Sequence, residues 1–104
     1  MIYSYNKLIR DKNVELMEKK GCKVTFEILN DKRYNEELDK KLREEVEEYL
    51  EDYNIEEMAD VMEVILAMLE FRGITMEEVE KVRIQKKNRK GGFKNKIYLK
   101  DVEE

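Results

Sequence analysis

Between residues 55 and 72 the chain reads IEEMADVMEVILAMLEFR, and one helix packed on one neighbour cannot bury that pattern. Met58, Val61, Met62, Val64, Ile65, Leu66, Met68, Leu69 and Phe71 spread apolar side chains nearly all round a helical wheel. Such a helix has to be covered on more than one side. A chain of 104 residues is a single domain, here 1–104, with room for only a modest core. Three or four helices from one copy hardly provide the cover, so the sequence predicts a homo-oligomer, either a homodimer or a homotetramer. The longest apolar run, Val64 to Leu69, is far too short to cross a bilayer, and Met1 to Ile9 has no signal-type apolar core. These features predict a cytoplasmic protein with no membrane partner.

The preceding helix, about 32–52, has a single apolar stripe: Tyr34, Leu38, Leu42, Val46, Tyr49, Leu50 and Tyr53. Glu45 falls inside the edge of that stripe and Glu48 just beyond it, beside Lys41. Glu44, Glu47 and Glu51 fall on the far side. An acid at a core edge is costly unless it is paired or bound to a metal. On the next helix Glu57, Asp60 and Glu63 form the only polar strip near its start. Glu45/Glu48 and Glu57/Asp60 are both i,i+3 pairs, and that step keeps two carboxylates on one helix face. With only Tyr53-Asn54 between the helices, the two pairs can converge on one point. Four converging carboxylates repel one another unless a cation sits between them. The hard cation that takes oxygen ligands and keeps waters for a phosphate substrate is Mg²⁺. Against this stands the ordinary reading, that acids on helices are a solvated face in a chain that is 44% charged.

Residue types narrow the chemistry further. With no histidine and a single cysteine, Cys22, there is no His-based triad, no His-ligated metal and no Cys-rich zinc site. Catalysis falls to carboxylates, lysines, tyrosines or metal-bound water.

The other elements follow from punctuation. Asp11 is placed to cap a short helix ending near Lys20, and Gly21 stops it. Cys22, Val24, Phe26 and Ile28 alternate with polar residues, which predicts a strand. Asn30-Asp31 opens the helix at 32, Gly73 ends the one at 72, and Thr75 with Glu78 makes a capping box for a third long helix, about 76–90. Gly91-Gly92 stops that helix, and Phe93, Ile97 and Leu99 allow a short terminal strand. The expected fold class is all-α, a helical bundle with a small β ribbon from the terminal segments, completed by oligomerisation.

Charge is unevenly placed. Residues 81–96 hold eight Lys/Arg and no acid, which leaves −12 on the remainder against −4 for the whole chain. Arg83 and Lys86 share the inward face marked by Val79 and Val82, and Lys87, Arg89 and Lys90 cluster at the helix end. Cations favour a helix C-terminus in any case. Facing inward, they also suit a phosphate clamp opposite the metal. A nucleic-acid strip is the third reading, weakened by having no interleaved aromatics apart from Phe93 and Tyr98. Composition assigns no chemistry to the dense segment YNKLIRDK near the start. Its cations Lys7 and Arg10 are kept among the candidate substrate-binding residues, with Arg83, Lys86 and Arg89.

These motifs together resemble a known family. Glu44-Glu45-Val46-Glu47-Glu48 followed by Glu57-Met58-Ala59-Asp60 looks like the EExxE…ExxD signature of the MazG-like all-α nucleoside triphosphate pyrophosphohydrolases. The blocks YNKLIRDK, KLREEVEEYLE, EEMADVMEVILAM and KKNRKGGF are similar to a phosphoribosyl-ATP-pyrophosphohydrolase-like branch, and they cover nearly the whole chain. Two departures stand out: Asn13-Val14 replaces the usual Ile-Pro, and Lys90 separates Arg89 from Gly91. The resemblance implies that Glu45, Glu48, Glu57 and Asp60 hold Mg²⁺, for which Mn²⁺ can substitute. It also implies hydrolysis of a nucleoside triphosphate to monophosphate and pyrophosphate. Lys41, Arg83, Lys86 and Arg89 then neutralise charge on the leaving pyrophosphate, and Glu45 or Glu44 takes the proton of the attacking water. The competing expectations are a helical nucleotide- or protein-binding module without hydrolysis, and a nucleic-acid accessory protein using residues 81–96.

Overall fold

The computed structural model describes all residues, 1–104. Four helices and no strands are formed: α1 Asn13–Lys19, α2 Asp31–Asp52, α3 Ile55–Arg72 and α4 Met76–Lys90. No helix is long and apolar enough to cross a membrane. Local chemistry sets the boundaries. The Asn30 side chain accepts from Arg33 N at 2.9 Å and starts α2, while Asn54 accepts from Glu57 N at 2.8 Å and starts α3. Thr75 and Glu78 make the reciprocal capping box that opens α4. After α3, Gly73 takes a left-handed φ of 69°. Its N–H donates to Glu70 O and the Ile74 N–H to Leu69 O, so the last carbonyls are satisfied in a Schellman turn.

Asp11 does not cap α1. The helix begins one residue later than that requires, with Lys12 at the N-cap and no side-chain cap bond. The first turn is held instead by Asn13 N donating to Arg10 O at 3.0 Å. The expected β ribbon is also absent. Residues 22–29 keep their alternation but find no ladder partner, and Phe26 and Ile28 stay exposed. The partner segment 93–99 is equally bare, with Phe93, Ile97, Tyr98 and Leu99 all in solvent. A strand needs another backbone beside it, and neither segment meets one within this chain.

The body is an antiparallel hairpin of α2 and α3, which form the only extensive helix–helix contact. Tyr34 and Phe71 close its open end edge-to-face, 5.4 Å between centroids, beside a hydrogen bond from Arg72 Nη2 to Asn35 Oδ1. Leu38, Val61 and Val64 are the buried apolar core. Leu38 is the most enclosed, so Leu38→Ala should cost about 2–5 kcal/mol in a denaturant titration. At the other end Tyr53, at φ 54°, and Asn54 make the tight reversal that sets the acids of the two helices side by side.

This hairpin is an incomplete core. A folded monomer of this mass exposes about 6,200 Å² by the usual size scaling. The chain exposes 10135 Å². Its radius of gyration is 18.7 Å, against about 13 Å for a compact chain of this length. Besides the largely exposed segments 1–9, 22–30 and 91–104, two helix surfaces are bare. On α3, Ile55, Met58, Met62 and Leu66 line the side away from α2 and are all exposed. On α4, Val82 and Ile84 are exposed, and the whole of residues 81–90 lies in solvent.

Candidate metal centre

The centre lies at the reversal end of the hairpin. Glu45 is carried on α2 two turns before the reversal. Glu57 and Asp60 stand on the first two turns of α3, where the helix N-terminus favours negative charge. The Asn54 cap fixes the turn from which Glu57 projects. One carboxylate oxygen from each of Glu45, Glu57 and Asp60 lies within 4.8 Å of the others. Glu45 is not at the edge of the buried face, as the wheel places it, but well inside, at 7% exposure and level with the core. Its Oε2 and the Oε2 of Glu57 are buried with no hydrogen-bond donor. Unpaired buried carboxylate oxygens are costly, and a cation held between the acids is one way to offset that cost.

Glu48, the fourth acid of the expected set, stands beside this point and not on it. It comes within hydrogen-bonding reach of both Glu45 and Glu57. Glu63 is exposed and takes no part. Three acids therefore converge, with Glu48 at their flank.

Cations ring the acids on one side. Lys41 Nζ lies 3.2 Å from Glu45 Oε1 and 3.2 Å from Glu44 Oε2. Lys7 Nζ donates to Glu44 Oε1 at 3.0 Å, and Arg10 Nη2 to Asp60 Oδ1 at 2.7 Å. The two outer pairs are partly exposed, so each is worth about 0–1 kcal/mol and weakens with salt. Glu57 and Glu48 have no cation partner. Burial pushes the Glu45 carboxyl above its usual range; Lys41 opposes the shift and Glu48 adds to it. Glu57 is also raised, first by desolvation and then by Asp60, Glu45 and Asp52. Burial works against an ionised Glu44 too, but hydrogen bonds from Lys7 and Lys41 outweigh it and hold that carboxyl below the usual range. Lys41 is raised for the matching reason: burial opposes its charge, and the hydrogen bonds to Glu45 and Glu44 prevail.

The basic face of α4 does not reach these acids in the same chain. Arg83 is paired with Glu80 one turn before it and not turned toward α2, and Lys86 and Arg89 are exposed. The inward face inferred from Val79 and Val82 is not formed, because Val82 itself is 62% exposed. Besides Lys41 on α2, the cations that reach the acids are Lys7 and Arg10, from the one segment to which composition assigns no chemistry. The sequence signals for this segment were its density of charge around Leu8 and Ile9 and the resemblance of YNKLIRDK to a family block.

The donor set suits a hard divalent cation: carboxylate oxygens only, no sulfur or imidazole nearby, and two buried oxygens without a donor. Comparison with protein-family models, curated proteins and solved structures finds no match for this chain.

Proposed function

We propose that the protein is a Mg²⁺-dependent nucleotide pyrophosphohydrolase, cleaving a nucleoside triphosphate or a related nucleotide to monophosphate and pyrophosphate. One observation carries this reading most directly. Glu45 is nine-tenths buried, one of its oxygens has no hydrogen-bond partner, and one carboxylate oxygen from each of Glu45, Glu57 and Asp60 lies within 4.8 Å of the others. The match of the acid spacing and of YNKLIRDK and KKNRKGGF to the MazG-like pattern supports the choice of substrate.

Glu45, Glu57 and Asp60 are the residues that would hold Mg²⁺, with Glu48 beside them. When bound there, the ion polarises a phosphoryl oxygen and lowers the pKa of water. The chain's own groups do the rest. Lys41, Lys7 and Arg10 lie on the rim of the acids, placed to neutralise a phosphate chain and the pyrophosphate that leaves. Glu44 is a poor proton acceptor, because both of its oxygens are held by lysines. Glu48 has no cation partner and touches Glu45 and Glu57, so its carboxylate is the better candidate for taking a proton from water.

The functional unit is a homo-oligomer in this reading. The bare stripe on α3 and the excess surface both favour it, and Arg83, Lys86 and Arg89 then serve a site only across copies. Release of pyrophosphate from a panel of nucleoside triphosphates, with Mg²⁺ or Mn²⁺, tests the proposal. Turnover of at least one nucleotide, abolished by EDTA, is expected. Binding of nucleotide with no turnover of any of them would turn the assignment toward a helical binding module.

A further inference from the structure

Residues 1–9 take part in no backbone hydrogen bond. The apolar side chains of this segment do not anchor it either: Ile2, Tyr3 and Tyr5 are exposed and only Leu8 is half-buried. What ties the segment to the hairpin is a pair of cations three residues apart. Lys7 reaches Glu44 on α2, and Arg10 reaches Asp60 on α3. The strap thus bridges both helices at the acidic centre. Its two acceptors are not incidental surface acids. Asp60 supplies one of the three oxygens that meet at the common point, and Glu44 shares Lys41 with Glu45.

An ion pair on Asp60 has a consequence for anything that binds there. A divalent cation drawing on the Asp60 carboxylate competes with the Arg10 guanidinium for the same negative charge and repels it. A displaced guanidinium seeks another oxyanion in fork geometry, and a phosphate chain provides one. Lys7 lies in the stretch without backbone hydrogen bonds, and Arg10 stands where that stretch joins α1, its carbonyl accepting from Asn13 N at 3.0 Å, so any change of partner falls to the two long side chains.

We propose that Lys7 and Arg10 form an exchangeable latch: they neutralise Glu44 and Asp60 in the metal-free chain, and they pass to the oxygens of an incoming phosphate chain when a divalent cation takes up the acids. This rests on the metal-centre reading given above and adds to it a regulation of that site. The latch makes the chain's own cations opponents of metal binding alone and helpers of metal bound together with phosphate. Two simpler roles make different predictions. A purely structural ion pair alters stability and leaves both affinities unchanged. A fixed phosphate-binding cation weakens phosphate binding and leaves metal affinity unchanged.

The test uses the full chain, Mn²⁺ as the metal and inorganic pyrophosphate as the phosphate ligand. Mn²⁺ affinity is read by electron paramagnetic resonance of the free ion, and pyrophosphate affinity by calorimetry at saturating Mn²⁺. Circular dichroism checks that helix content is unchanged. The doubly substituted Lys7→Gln, Arg10→Gln chain is expected to bind Mn²⁺ alone several-fold more tightly than the wild type. It should bind pyrophosphate with Mn²⁺ about tenfold more weakly, the loss expected for charge-assisted hydrogen bonds. Of the single variants, Arg10→Gln should carry the larger part of the Mn²⁺ effect. Unchanged or weaker Mn²⁺ binding in the double variant overturns the latch, as does unchanged pyrophosphate binding. Glu57→Gln separates the two levels. If wild type binds no Mn²⁺, the metal centre falls and the latch with it. If Glu57→Gln loses Mn²⁺ while the double variant behaves as wild type, the latch alone falls.

Discussion

Glu57→Gln is expected to lower Mg²⁺-dependent hydrolysis by about 100-fold or more, since losing a direct ligand costs at least as much as losing its support. The same change should make the metal-free protein more resistant to heat. Glu57 has no cation partner, its Oε2 is buried without a donor, and its charged neighbours are Asp60, Glu45 and Asp52. Glutamine keeps the shape, removes the charge and gives the neighbouring carboxylates a donor. Glu45→Gln is a less clean test, because it also takes a partner from Lys41. The pH dependence has a definite sign. The Glu57 carboxyl is raised in the folded chain, so the folded state holds more protons than the unfolded one between the ordinary carboxylate range and the raised value. Its contribution to stability is therefore present at the acid end of that window and lost as pH rises through it. Other groups, including Glu44, shift the opposite way, so the informative quantity is the difference between variant and wild type. In EDTA that difference should grow in favour of the variant as pH rises toward neutrality. Mg²⁺ at pH 7 should raise the Tm of wild type and leave the variant unmoved. A variant that melts earlier than wild type in EDTA and still responds to Mg²⁺ would remove Glu57 from the centre.

The features legible in the sequence are those decided within a few residues. The ends of α3 and α4 fall where Asn54, Gly73 and the Thr75–Glu78 box place them, because caps satisfy backbone groups of the adjacent turn. The convergence of Glu45 with Glu57 and Asp60 was also accessible, since a two-residue reversal leaves two long helices little freedom but to lie antiparallel. Where the reading depended on a distant partner it failed. The alternation of residues 22–29 specifies a strand face but not the strand that must pair with it. Val79 and Val82 mark one side of α4, but nothing in the local pattern says what would cover it. Arg10 and Asp60 are fifty residues apart in sequence, and nothing in either local pattern names the other. Glu45 was misplaced toward the edge for a related reason: a wheel ranks positions by angle on one helix, whereas burial depends on the helix opposite.

Charge placed in the bare stripe of α3 is expected to convert an oligomer into monomers. Ile55, Met58, Met62 and Leu66 recur at three- and four-residue steps on the side of α3 that faces away from Val61 and Val64, so the helix carries two apolar faces and α2 covers one. The chain exposes roughly 4,000 Å² beyond the surface scaling for its size. Much of that excess lies on the largely exposed segments 1–9, 22–30 and 91–104, but a second copy laid along the α3 stripe would cover the face that α2 leaves bare. Met62→Glu with Leu66→Glu puts two carboxylates in the middle of that face. Both residues are partly exposed within one chain, so the change leaves the α2–α3 contact in place. Sedimentation or light scattering should show the wild type as a dimer or tetramer and the double variant as a monomer, with Tm falling and becoming independent of protein concentration. A wild type that sediments as a stable monomer would mean that this stripe is covered in another way. Hydrolysis should fall together with assembly, because Arg83, Lys86 and Arg89 lie away from the acids of their own chain and only a second copy can bring them near. A monomeric variant with full activity would place the whole of the chemistry on Lys41, Lys7, Arg10 and the acids of a single hairpin.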